Sequence, residues 1–98
     1  MNDITNKQRA YLAGLAAKMS PVFQVGKALV TPEIVNAIDE ALEKRELVKI
    51  SVLKNCNETP ASVAAMISER TKSTLVRVIG RKFVLYRPAK KPVIELPR

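Results

Sequence analysis

Two Thr-Pro steps, Thr31-Pro32 and Thr59-Pro60, restrict the fold of this chain more than any other feature of its sequence. At each, a hydroxyl suited to capping a helix precedes a proline whose fixed φ fits the first helical position, where its missing N–H is not needed. Two helices should begin there. Glu33 strengthens the first start by placing a carboxylate near the positive end of the helix dipole. Ile34, Val35, Ile38, Ala41 and Leu42 then recur at helical spacing and predict a helix to about Arg45, with Asp39, Glu40, Glu43 and Lys44 facing water. Val63, Ala64, Met66 and Ile67 carry the other helix to about Thr71.

The segments around these helices read as strands. Leu47 to Leu53 alternates around Val48, Ile50 and Val52, with Lys49 and Ser51 between them, as a half-exposed strand should. Thr74 to Ile79 and Lys82 to Tyr86 are β-branched or aromatic runs flanking Gly80-Arg81, a hairpin turn. Upstream, Thr5 and Gln8 have capping-box spacing, and Tyr11, Leu12, Leu15, Ala16 and Met19 predict a first helix over about 5–18. Ser20-Pro21 ends it, and Val22 to Val25 is a short buried strand stopped by Gly26. Pro88, Pro92 and Pro97 keep residues 88–98 out of a helix, leaving an extended tail with apolar residues Val93, Ile94 and Leu96. The order is αβαβαββ. Strand–helix–strand stretches imply right-handed crossovers and parallel pairing, and the closing hairpin adds an antiparallel strand. The expectation is an α/β fold of the α+β kind, a two-layer sandwich with a mixed four-stranded sheet, in a single domain over residues 1–98.

Charge narrows the function. Seventeen bases against nine acids give +8 over 98 residues. Residues 70–98 hold nine bases (Arg70, Lys72, Arg77, Arg81, Lys82, Arg87, Lys90, Lys91 and Arg98) against Glu95 alone. Residues 28–69 are net acidic, whereas residues 1–27 carry Lys7, Arg9, Lys18 and Lys27 against Asp3. Basic ends around an acidic middle point to a polyanionic partner, provided the fold joins the ends. Histidine is absent and Cys56 is the single cysteine. No disulfide framework, nucleophile–base pair or metal-ligand set is in view, so no catalysis, metal, cofactor or small-molecule substrate is expected. The longest apolar stretch, Tyr11 to Ala17, is far short of the roughly 18 residues of a membrane span. The polar start Met1-Asn2-Asp3-Ile4 does not resemble a signal peptide, and a cytoplasmic protein is expected.

Two constellations carry the binding chemistry. Val25-Gly26-Lys27 leads from a strand toward the helix start at Thr31, an arrangement that can gather backbone N–H groups beside a lysine, although neither GxGxxG nor GxxxxGK[ST] is present. Gly26 could equally serve only a tight turn. Around the hairpin stand Arg77, Arg81, Lys82, Arg87, Lys90 and Lys91. Regular alternation puts Arg77 on one face with Leu75 and Ile79. Aromatic residues are too sparse for a base-stacking platform, so phosphate and shape recognition is expected.

The opening Thr5-Asn6-Lys7-Gln8-Arg9-Ala10-Tyr11-Leu12-Ala13-Gly14-Leu15-Ala16, then Pro21-Val22-Phe23-Gln24-Val25-Gly26-Lys27, Leu47-Val48-Lys49-Ile50 and Val78-Ile79-Gly80-Arg81-Lys82-Phe83-Val84-Leu85-Tyr86-Arg87-Pro88 resemble the CRM domain, named for chloroplast RNA splicing and ribosome maturation. The likeness covers nearly the whole chain in order, and is greatest to the stand-alone bacterial members. It implies a fold similar to the C-terminal domain of translation initiation factor three. It also implies RNA binding through a GxxG loop beside basic residues, and association with ribosomal RNA in precursors of the large ribosomal subunit. Gly26 and Lys27 match that loop, whereas Ala28 stands where Asn is frequent and Leu29 takes the second glycine position. The expected RNA contacts are Lys7, Arg9, Gly26, Lys27, Arg77, Arg81, Lys82, Arg87 and Lys90, in a ribosome-associated monomer. A basic protein-docking module and a DNA binder are the alternatives. For DNA, the second helix is acidic on its exposed face and the third only weakly basic, so major-groove readout lacks an element.

Overall fold

Each helix begins on a threonine. A computed structural model describes residues 4–27 and 30–97. Thr5 Oγ1 accepts from the Gln8 N–H at 3.1 Å while Gln8 Oε1 accepts from the Thr5 N–H at 3.0 Å, and this reciprocal pair opens α1 (Asn6–Ala17). Thr31 accepts from the Ile34 N–H ahead of α2 (Pro32–Arg45), and Thr59 from the Ser62 N–H ahead of α3 (Pro60–Thr71). The strands are β1 (Phe23–Val25), β2 (Leu47–Val52), β3 (Thr74–Ile79) and β4 (Lys82–Tyr86). Gly80 turns the β3–β4 hairpin with φ +59°, a conformation that L side chains rarely adopt.

The sheet order is β1-β2-β4-β3. β1 pairs parallel with β2, as the crossover through α2 requires, and β4 pairs antiparallel with both β2 and β3. β2 and β3 therefore run the same way without touching as neighbours, because the second strand of the hairpin takes the place between them. The burial of Phe83, Val84, Leu85 and Tyr86 accounts for this: a strand apolar on both faces belongs at the centre of a covered sheet.

Both faces of the sheet are covered. Val48, Ile50, Val52, Phe83 and Leu85 pack with Ile38 and Leu42 of α2 and Val63, Ala64 and Ile67 of α3, and buried Cys56 joins them. Truncating Phe83, which is fully buried there, should cost about 3–5 kcal/mol. On the other side, Leu47, Val76, Val84 and Tyr86 pack with Leu12, Ala13 and Ala16 of α1, and Ile94 and Leu96 of the tail lie against the same cluster. The two-layer expectation holds for α2 and α3 on the sheet, and α1 adds a third layer. Small Ala13 and Ala16 give α1 a narrow contact stripe, so Tyr11 and Leu15, expected in that stripe, remain 43% and 37% exposed.

A bulge changes one face assignment. Leu75 pairs with Leu85 and Arg77 with Val84, leaving Val76 as the extra residue. Leu75 thus faces the α3 side while Arg77 faces the α1 side with Ile79. The face shared by Leu75 and Arg77, as regular alternation predicts, is broken by that one residue.

Candidate nucleic-acid interface

Parallel pairing of Val25 with Val52, and the bond from the Val52 N–H to the Arg81 carbonyl, bring the end of β1, the end of β2 and the β3–β4 turn to one end of the sheet. Gly26, Lys27, Arg81 and Lys82 collect there, with Arg77 two pairs back from the turn. Lys27, Arg77 and Lys82 are exposed. Arg81 is half-buried and anchored, its Nε donating to the Val52 carbonyl at 2.9 Å and its Nη2 to that of Leu53 at 2.7 Å. Gly26 fits a close approach: a Cβ there would meet Asn55 Oδ1 and Leu53 Cδ1 at 3.2 Å. Ala28 and Leu29, where the sequence departs from GxxG, lie outside the described residues.

The remaining expected contacts are elsewhere. Arg9 of α1 donates through Nη1 to the carbonyls of Leu75 at 2.6 Å and Val76 at 2.7 Å, holding the bulge. Lys7 is exposed two residues before Arg9, on the helix whose Gln8 side chain donates to the Pro97 carbonyl. Arg87 leaves β4 at the far end, where Nη1 meets Asp39 Oδ1 and the Thr71 carbonyl, each at 2.6 Å, and Nη2 meets the Asp39 carbonyl and Glu43 Oε1. Its side chain is 15% exposed, so an RNA contact gives way to a structural one. Asp39 and Glu43, expected simply to face water, are its partners across the gap between α2 and the end of β4. Lys90 is exposed on the tail, also away from the hairpin.

Glu46 organises that far end. Fully buried, its carboxylate accepts from the Ala89 N–H at 2.7 Å and from the Val93 and Ile94 N–H groups at 2.8 Å. Burial alone would raise its pKa, but the three backbone donors outweigh it and hold the carboxyl below its ordinary value. Burial, and then the Glu46 charge, push the Tyr86 hydroxyl upward.

Sequence reasoning missed three residues at the hairpin end. Lys49 of β2 reaches back to the end of α1, its Nζ donating to the Ala16 and Met19 carbonyls at 3.2 Å, where a cation suits the negative end of the helix dipole. Its alternation with Val48 and Ile50 already marked it as outward-facing. Lys54 is exposed in the loop after β2, and Ile79 is 57% exposed on β3. Lys49, Ile79, Gly80, Arg81, Lys82 and Val84 line a concavity of about 330 Å³ on the α1 side of the sheet. The acids nearest this end in sequence, Glu33 and Glu58, belong to the starts of α2 and α3, which cover the opposite face.

Residues 4–87, which include both the hairpin and the strand leading into Gly26, match the CRS1/YhbY (CRM) domain. The chain belongs to that family. "Probable RNA-binding protein YqeI" of Bacillus subtilis is 44% identical over 95 residues, covering 96% of this chain and 99% of the relative. A Haemophilus influenzae protein named "RNA-binding protein" is 36% identical over 98 residues, covering 100% of this chain and 99% of its own length. Among solved structures, the hypothetical protein SAV1595 from Staphylococcus aureus superposes with a TM-score of 0.81 at 43% identity, covering 97% of this chain and all of that one. The CRM match ends at Arg87, so the Glu46-bound segment 89–94 lies beyond it.

Proposed function

We propose that this protein binds structured ribosomal RNA, without catalysis, and assists assembly of the large ribosomal subunit. The observation that carries the RNA reading is the hairpin end of the sheet, where Arg77, Arg81 and Lys82 stand on the α1 side with Lys27 and Lys54 on the adjoining loops. Cations grouped in this way bind phosphates by releasing condensed counterions, a mode that needs neither aromatic platform nor reading helix. Relatives named as RNA-binding proteins over essentially the full chain support RNA over DNA or an acidic protein. The ribosomal target is inferred from the sequence resemblance to the stand-alone bacterial members of the family, and we propose in addition a cytoplasmic monomer, the location resting on the lone Cys56.

Binding of labelled large-subunit ribosomal RNA fragments and of duplex DNA, measured over a range of salt, tests the reading. RNA should bind more tightly, with log K falling by roughly 0.7–0.9 for each neutralised phosphate per log unit of salt. A slope near zero for the folded protein rejects the cationic surface as the source of affinity. Sedimentation of the cellular protein should place it with large-subunit precursors, and its absence from ribosomal particles rejects the assembly role.

A further inference from the structure

Resting on the RNA reading, we infer that the concavity beside the hairpin receives one unpaired nucleobase, so that the protein distinguishes RNA carrying an extrahelical nucleotide from a continuous duplex. Its walls are mostly aliphatic and its rim is cationic. Ile79, exposed across the strand pair from Lys82, supplies the apolar surface, Val84, packed in the cluster under α1, closes the floor, and Gly80 leaves the turn open, with nothing within 4 Å of where a Cβ would stand. The Lys49 ammonium is drawn away to the carbonyls at the end of α1, which leaves its methylene stem to line the wall. Arg81 is held at the rim by the Val52 and Leu53 carbonyls, so its planar guanidinium is positioned before any ligand arrives.

These features match the chemistry of a single nucleotide. A base offers two apolar faces joined to an anionic phosphate, and the cavity offers aliphatic surface next to Arg81 and Lys82. A volume of about 330 Å³ lies at the small end of ligand sites, enough for one flat group and too little for a helix. A base inside a duplex must first leave its stack, whereas a bulged one is already displaced or displaced at small cost. The apolar floor is aliphatic, so it favours an unpaired base without choosing strongly among the four.

Three RNA probes test this: a blunt duplex, the same duplex with one bulged nucleotide, and the same bulge made abasic. The wild-type protein should bind the bulged duplex about fivefold or more tightly than the other two, as expected when the apolar surface of one base is buried against Ile79. Ile79→Ser, a change at an exposed position, should remove that preference while leaving the circular dichroism spectrum and the salt slope unchanged. Lys82→Ala should instead weaken all three probes together and reduce the slope by roughly one phosphate's worth. Equal binding to bulged and abasic probes would mean that backbone shape alone is read and would overturn the pocket. So would a preference that survives Ile79→Ser, or equal or tighter binding to the blunt duplex. Failure to bind any of these probes, or ribosomal RNA, removes the RNA reading itself.

Discussion

The two ends of the sheet use the same residue types to opposite purposes. At the hairpin end, Lys27, Lys54, Arg77 and Lys82 are exposed, and the carbonyls that hold Arg81 are neutral. At the far end, Arg87 is closed in by Asp39, Glu43 and the Thr71 carbonyl, and Glu46 is surrounded by three backbone donors. A charge with its counter-charge inside the protein contributes to stability and pH response, whereas a cation facing water contributes to the field a polyanion meets. Arginine count alone cannot separate the two uses.

Substitutions at each end should therefore move different observables. Among the charged residues, the largest effect is expected at Glu46→Ala, which strands three N–H groups, at about 1–3 kcal/mol for each one left without water. A loss of about 3 kcal/mol, read as a fall in Tm of about 12–24 °C for a domain this size, should leave RNA affinity unchanged at a temperature where the variant is folded. A matching loss of affinity would break the separation of the ends. Next, replacing Arg81 and Lys82 together with Ala removes two neutralised phosphates, or roughly 15- to 30-fold in affinity at 0.15 M salt. Lys27→Ala should cost less, and titrations of both variants settle the ranking.

A pH series sharpens the comparison further. The Glu46 carboxyl sits below its ordinary value of 4.5 in the folded chain, so its stabilisation is complete above that pH and is lost as pH falls through the lowered value. Tyr86 has the opposite sign: its pKa is raised above 10.0, so its contribution is complete below that pH and is lost as pH rises through the raised value. Thermal melts of Glu46→Gln should be flatter in acid, and those of Tyr86→Phe flatter in alkali. The smallest effect is expected at Lys72→Gly. Lys72 ends α3 in the left-handed region at φ 54°, where glycine relieves roughly 0.5–1 kcal/mol, visible as a small rise in Tm.

Local chemistry was legible and long-range pairing was not. The threonine caps, the Gly80 turn and the bounds of β3 and β4 follow from short-range rules and stand in the structure where the residues place them. The run Phe83-Val84-Leu85-Tyr86 also held the clue that a helix covers each face, since a half-exposed strand would alternate. The bulge at Val76 left no such mark, because no glycine or proline interrupts Leu75-Val76-Arg77. For the site, the cluster at Arg81 and Lys82 was readable from density of charge. The different task of Arg87 was hidden, because Asp39 and Glu43 lie 48 and 44 positions away in sequence. Glu46 carries no local mark of its role, because only the return of the tail gives its carboxylate three donors.

The position of β4 also sets the order in which the structure can form. Until residues 82–86 are present, β2 has only the three-residue β1 beside it and β3 has no ladder partner. Much of the apolar surface of β2, β3 and the three helices waits for that strand. Both core clusters lack their central members, Phe83 and Leu85 on one face and Val84 and Tyr86 on the other, until that strand is in place. Because β4 holds β2 and β2 holds β1, loss of the last strand would be felt at β1 as well as at the hairpin.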